Sequence, residues 1–96
     1  MTSLTVGAAA VDVIDFDTGR KTISFFNSST GGQTIYLSKT KAAGLVILNS
    51  DYPLPPNSGL DFDITTDGED IRGPWAAIGS AAGGNLYYSS TSERKR

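Results

Sequence analysis

The sequence predicts an all-β fold: a small antiparallel β-sandwich or jelly-roll-like barrel of six to eight short strands. Three observations carry this expectation. Apolar residues alternate with polar ones in short runs, and no run recurs at helical spacing. Gly, Pro, Asn, Asp and Ser break the runs at intervals of roughly 8–12 residues. The 96 residues suffice for one domain and no more.

The runs can be taken in order. "LTVGAAAVDVIDF" is irregular: Val11 and Val13 share one parity, Ile14 and Phe16 the other, and a bulge near Val13 would reconcile them. "KTISFFN" places Ile23 and Phe25 on one face, with Thr22, Ser24 and Phe26 on the other. "QTIYLS" sets Ile35 and Leu37 against Thr34 and Tyr36, and is expected to pair with the preceding run through a hairpin at "NSSTGGQ". "AAGLVIL" is a continuous apolar run. It fits a short helix or a buried strand, and its Leu-Val-Ile-Leu content favours strand.

In "GLDFDITT", Leu60, Phe62 and Ile64 oppose Asp61, Asp63 and Thr65, the pattern of a half-buried antiparallel strand. "PWAAIGS" and "NLYYSST" follow, with Leu86 and Tyr88 opposite Tyr87 and Gly83-Gly84 as the turn before the last strand. "DTGR" and Asp67-Gly68 supply further turns. The expected organisation is a single domain over 1–91 with an N-terminal arm at 1–10, followed by a polar, basic tail at 92–96.

Composition narrows the function. Eight basic and ten acidic residues give a net charge of −2, so no global basic field draws the chain to nucleic acid, which is not expected as a partner. Cysteine and histidine are both absent. That removes disulfides, thiol chemistry, Ser-His-Asp triads and zinc sites built on those residues. No cationic start precedes the N-terminal apolar stretch and acids follow it, so no signal peptide is expected. Nothing is long enough to span a bilayer, no membrane partner is expected, and synthesis in the cytoplasm is the default. A chain this size buries only ~60–65% of the surface that its unfolded form exposes, so self-association would help it.

Several motifs suggest chemistry on first reading. Aligned on Asp63, "DFDITTDGED" places Thr65, Asp67 and Gly68 as a calcium loop would, but the bidentate Glu position falls on Pro74. Asp61 and Asp63 are then read as the solvated face of a strand, and as a carboxylate pair they lack the nearby aromatic platforms expected of a glycosidase. "GSAAGGN" lacks the Lys-Ser/Thr of a phosphate loop. Asn27-Ser28-Ser29 matches a glycosylation sequon but is read as a turn. Arg20-Lys21 and Arg94-Lys95-Arg96 are the basic clusters, and the tail is read as solubilising. Phe25, Phe26, Tyr36, Tyr87 and Tyr88 have Ser, Thr and Asn neighbours rather than the basic residues of a single-strand binder. No catalytic residue, cofactor or metal ligand is expected. Pro53-Leu54-Pro55-Pro56 fits a P-x-x-P ligand, yet its place just before Leu60 makes it a rigid corner, with Asn57 and Gly59 taking the difficult backbone angles.

The order of these segments resembles the small β-sandwich virion structural proteins of tailed bacteriophages, over roughly residues 4 to 91. Arg20, Lys21, Ile23, Phe25 and Asn27 match the opening strand and Tyr36 its partner. Pro53, Leu54, Pro56, Leu60 and Phe62 match the corner, and Trp75, Ala77, Ile78 and Gly83 the final hairpin. The resemblance implies a non-enzymatic capsid decoration (cement) protein. Its expected partners are the major capsid protein and further copies of itself, often as a trimer, and its expected place is the virion. Alternatives are a tail, neck or head-fibre protein, and a carbohydrate-binding module that would need an exposed aromatic platform. Two departures, Asn57-Ser58-Gly59 and the acidic 64–74 segment, lie at one end of the sandwich. The expected interface residues are Leu4, Val6 and Gly7 on the arm, able to add a strand to a neighbour, and Asp67, Glu69, Asp70 and Arg72 on the acidic loop.

Overall fold

The computed structural model describes residues 2–47 and 50–92. Among them are eight strands: β1 (Thr2–Val6), β2 (Val11–Ile14), β3 (Arg20–Asn27), β4 (Ile35–Ser38), β5 (Tyr52–Leu54), β6 (Gly59–Asp63), β7 (Trp75–Gly79) and β8 (Gly84–Ser92). A short helix α1 (Ile64–Asp67) and a 3₁₀ helix (Glu69–Arg72) lie between β6 and β7.

The strands form two antiparallel sheets, in the orders β1-β8-β3-β6 and β2-β7-β4-β5. Strand 1 pairs with 8, 2 with 7, 3 with 6 and 4 with 5. That is the order of a jelly roll: a long hairpin of strands rolled so that β8 also meets β3 and β7 meets β4. Every connection except β4–β5 therefore crosses from one sheet to the other.

Alternation sets which side of each strand is buried. Ile23 and Phe25 are buried while Phe26 is exposed; Ile35 and Leu37 are buried; Leu86 is buried and Tyr87 exposed. The pairing of β2 with β7 shifts register between Asp12 and Ile14, which places the bulge at Val13. β7 is buried along its whole length, because it lies between β2 and β4. Between the sheets, Trp75 packs on Phe25 at 4.9 Å and on Phe62 at 5.2 Å between ring centroids, with Tyr52 beside them. Each fully buried side chain of this size contributes ~1.5–3 kcal/mol of apolar burial.

Several expectations are corrected. "NSSTGGQ" and "AAGGN" are not hairpins: β3 and β4 lie in different sheets, as do β7 and β8. Residues 42–47 of the apolar run are not a strand, and its last residue, Leu48, lies outside the described residues. Leu45 is buried, but Val46 and Ile47 are exposed. Ile64 opens α1 instead of extending β6. The N-terminal segment is no free arm, since Thr2–Val6 pairs with β8 of its own chain. Within the chain, a Cβ at Gly7 would meet nothing within 4 Å, so the close backbone approach is elsewhere. It is at Gly84, where a Cβ would stand 2.6 Å from the Val6 carbonyl.

The proline corner divides in two. Pro53 lies within β5, an edge strand, where its missing N–H interrupts no ladder. Asn57 takes a positive φ of 61°, whereas Gly59 does not have one and enters β6 directly. The Asn57 N–H donates to the Asn27 carbonyl at 2.7 Å, and the Asn27 N–H to the Ser58 carbonyl at 2.9 Å. Asn57-Ser58-Gly59 and the acidic 64–74 segment, expected at one end of the sandwich, therefore lie at opposite ends, because β6 runs antiparallel to β3 from Phe26 to Thr22 between them. The Asn27 side chain is fully buried. It donates to the Gln33 and Leu54 carbonyls at 2.9 and 2.8 Å and accepts from the Ser29 N–H at 3.0 Å. Its sequon is thus occupied by structure, with no room for a glycan.

Trp75→Ala is expected to lower unfolding free energy by about 3–5 kcal/mol in urea titration. Phe16→Ala, at a side chain 61% exposed, is expected to change it by no more than about 0.5 kcal/mol. Equal effects of the two would contradict the packing described.

Candidate functional site

The end of the sandwich at which β3 begins is organised by Arg20. Its side chain is wholly buried. One terminal nitrogen, Nη1, donates to the carbonyls of Ile71 at 2.8 Å and Gly73 at 2.9 Å; Nη2 donates to the carbonyl of Asp15 at 2.6 Å. The Ile71 carbonyl also accepts from Trp75 Nε1 at 3.1 Å. Asp17 N–H donates to the Arg72 carbonyl at 2.9 Å, and Arg72 Nε donates back to the Arg20 carbonyl at 3.1 Å. The 15–19 loop and the 3₁₀ helix are thereby tied to the aromatic core through one guanidinium. Desolvation lowers the Arg20 pKa, and the Coulombic pull of Asp17 and Asp15 opposes that.

Next to this clasp is an open depression of about 510 Å³ lined by Phe16, Lys39, Asp51, Asp70, Arg72 and Gly73. Lys39 Nζ lies 3.7 Å from Asp70 Oδ2 and 5.6 Å from the centroid of the Tyr52 ring. Desolvation pulls the Lys39 pKa down, but Tyr52, Asp70 and Asp51 outweigh it and hold it above the usual lysine value. Asp51 accepts from the Ser38 hydroxyl at 3.0 Å and from the Lys39 N–H at 2.9 Å. The depression thus presents fixed charges of both signs beside an exposed phenyl ring. Such a surface suits polar contact with another macromolecule, where charge pairing sets register and orientation.

A second groove of about 340 Å³ runs over the outer face of β3 and β6, past Thr22, Ser24, Asp61 and Asp67. Its carboxylates are partly committed to the chain. Asp67 Oδ2 accepts from the Asp63 N–H at 2.8 Å; Asp63 Oδ1 caps α1 by accepting from the Thr65 N–H at 2.7 Å and from the Thr65 hydroxyl. No group of three or more potential metal ligands forms among the described residues.

The expected interface residues are divided by the fold. Val6 is fully buried, Leu4 half-buried, and Gly7 uses its carbonyl to accept from the Gly79 N–H at 2.8 Å. Val6 lies opposite Gly84 at one end of β8, whereas Arg20 lies opposite Ser92 at the other, so the two expected sets occupy opposite ends. Asp70 and Arg72 line the depression and Asp67 the second groove. Glu69 opens the 3₁₀ helix, and its side chain lies outside the described residues. Sequence reasoning missed Phe16, Lys39 and Asp51, which only the fold brings to Asp70. Of the Arg20-Lys21 pair, Arg20 is interior. The tail Arg94-Lys95-Arg96 lies outside the described residues.

Two predictions follow from these bonds. Arg20→Met removes a donor from the carbonyls of Ile71, Gly73 and Asp15; Ile71 keeps Trp75 Nε1, and Gly73 and Asp15 each cost about 1–3 kcal/mol where not resolvated. Urea titration should show the loss, and Arg20→Lys should recover only part of it. The carboxyls of Asp17 and Asp63 are held below the usual aspartate value. The Ser92 hydroxyl is the first cause for Asp17, and the Thr65 hydroxyl for Asp63. A carboxyl depressed on folding binds fewer protons folded than unfolded, so its stabilisation is complete above the unfolded value and is lost as pH falls through the folded one. Urea midpoints should therefore drop as pH falls below about 4, and Asp17→Asn should make that drop shallower. Comparison of the chain with protein-family models, with curated proteins and with solved structures gave no match.

Proposed function

We propose that the chain is a non-enzymatic virion structural protein of a tailed bacteriophage, a capsid decoration (cement) protein that binds the outer shell and bridges major capsid subunits. The observation that carries the reading is the jelly-roll strand order in a domain this small. Double-sheet jelly rolls recur in viral capsid and lectin domains. The described polar side chains inside the domain, Arg20, Asn27, Ser29 and Ser38, hold backbone or neighbouring side chains in place. The exposed chemistry is that of contact surfaces: the mixed-charge depression and the outer sheet faces. Among the described residues, no helix is long and apolar enough to cross a membrane.

A carbohydrate-binding role is the second reading. Trp75 cannot serve as its platform, being fully buried. Phe26 and Tyr87, however, are cross-strand partners, both partly exposed on an outer face among Ser and Thr.

Co-sedimentation with expanded, undecorated shells tests the first reading. Saturable binding is expected, with Asp70→Lys or Arg72→Glu weakening it. Gel densitometry of intact particles should give hundreds of copies; about six or twelve would place the protein in a tail or neck ring. Failure to bind shells, together with quenching of tyrosine emission by a glycan, would favour the second reading.

A further inference from the structure

The two sheets have four edge strands: β1 and β6 in one, β2 and β5 in the other. An open edge presents unpaired N–H and C=O groups, and soluble proteins blunt such edges with charge, proline, bulges or shortness. Three of the four are blunted here. β5 has only three residues and contains Pro53. β2 is bulged at Val13 and carries Asp12. β6 carries Asp61 and Asp63 and runs directly into α1. β1, "TSLTV", has no charge, no proline and no glycine, and pairs with β8 without a register shift over all five residues. Its backbone has no partner on the far side among the described residues.

We infer that the free edge of β1 is a self-association surface, and that its occupant is β1 of a second copy of this chain, antiparallel about a two-fold axis. The strand is suited to its own copy. Antiparallel pairing centred on Leu4 sets Ser3 against Thr5, exposed hydroxyl residues on the same face, so no like charges meet. It also sets Leu4, half-buried in the monomer, against Leu4 of the partner subunit, covering apolar surface that one thin core leaves open. The same operation at β6, centred on Phe62, would set Asp61 against Asp63 of the partner subunit. The product is one continuous eight-stranded sheet. Its symmetry is two-fold, because identical antiparallel edges satisfy each other and leave none for a third copy. The inference rests on the edge chemistry and is independent of the virion reading.

The test uses the purified chain alone. Sedimentation equilibrium up to roughly 100 μM should show a monomer–dimer equilibrium. Hydrogen exchange should show concentration-dependent protection of amides in Thr2–Val6. Ser3→Lys/Thr5→Lys should weaken the dimer at least about tenfold, by like-charge repulsion across the axis. Ala81→Lys/Ala82→Lys, which adds the same charge at an exposed turn, should leave it intact, and at concentrations too low for the dimer to form both variants should retain the parent thermal midpoint. A chain monomeric throughout this range overturns the inference. So does a dimer equally strong in both variants, or one whose formation leaves the β1 amides unprotected. Should the β1 variant unfold, the exchange pattern of the parent chain decides alone.

Discussion

The contact of Trp75 with Phe25 and Phe62 is the interaction on which the rest of the molecule depends. Trp75 belongs to one sheet and the two phenylalanines to the other. Every connection but one crosses between the sheets, so the chain cannot complete its path unless the sheets face each other at this distance. The aromatic cluster supplies much of the apolar area that holds them there, in a chain without a disulfide to do so. Backbone pairing within each sheet adds direction but does not by itself bring the sheets together.

Crossing between sheets exposes backbone groups at the two ends, and one buried polar residue answers the problem at each. Asn27 serves the end where β3 leaves for β4 and where β5 leaves for β6, accepting and donating through both ends of its amide. Arg20 serves the other, where its donors hold the carbonyls of Asp15, of Ile71 in the 3₁₀ helix and of Gly73 just after it. Among the described residues, the guanidinium has no buried carboxylate partner and its Nε finds no acceptor. It is therefore a costly group to bury, retained where an amide could not reach three carbonyls at once. Because it fixes the position of the 3₁₀ helix, it also places Asp70 and Arg72 beside Lys39 and Asp51. Interior structure and surface recognition meet at that residue.

Alternation was legible wherever a strand kept its period. The buried faces of β3, β4, β6 and β8 follow from Ile23 and Phe25, Ile35 and Leu37, Phe62, and Leu86, and the bulge at Val13 follows from a change of parity. The interior place of Arg20 had no such signal. Period two groups it with Thr22 and Ser24 on the outward face, but the pairing of β3 with β8 shifts register between Arg20 and Thr22 and turns it inward. The apolar run at 42–47 failed differently. Its composition suits a strand, yet neither sheet has a neighbour for it, and only Leu45 of its large apolar residues reaches the interior. The candidate depression had almost no sequence signal, since its lining comes from loops far apart in the chain.

The sequence by itself determined that this is an all-β chain with short half-buried strands, a buried tryptophan and a proline-marked corner. Those properties are local: they depend on side-chain period and on backbone angles that proline, asparagine and glycine allow or forbid. Only the tertiary structure decided which strands pair. The glycine-rich turns look like hairpins but cross between sheets, because pairing is chosen by how apolar faces can be covered over the whole chain, not by the turn that separates two neighbours. The same global choice brought β1 back onto its own β8 and left its far edge open.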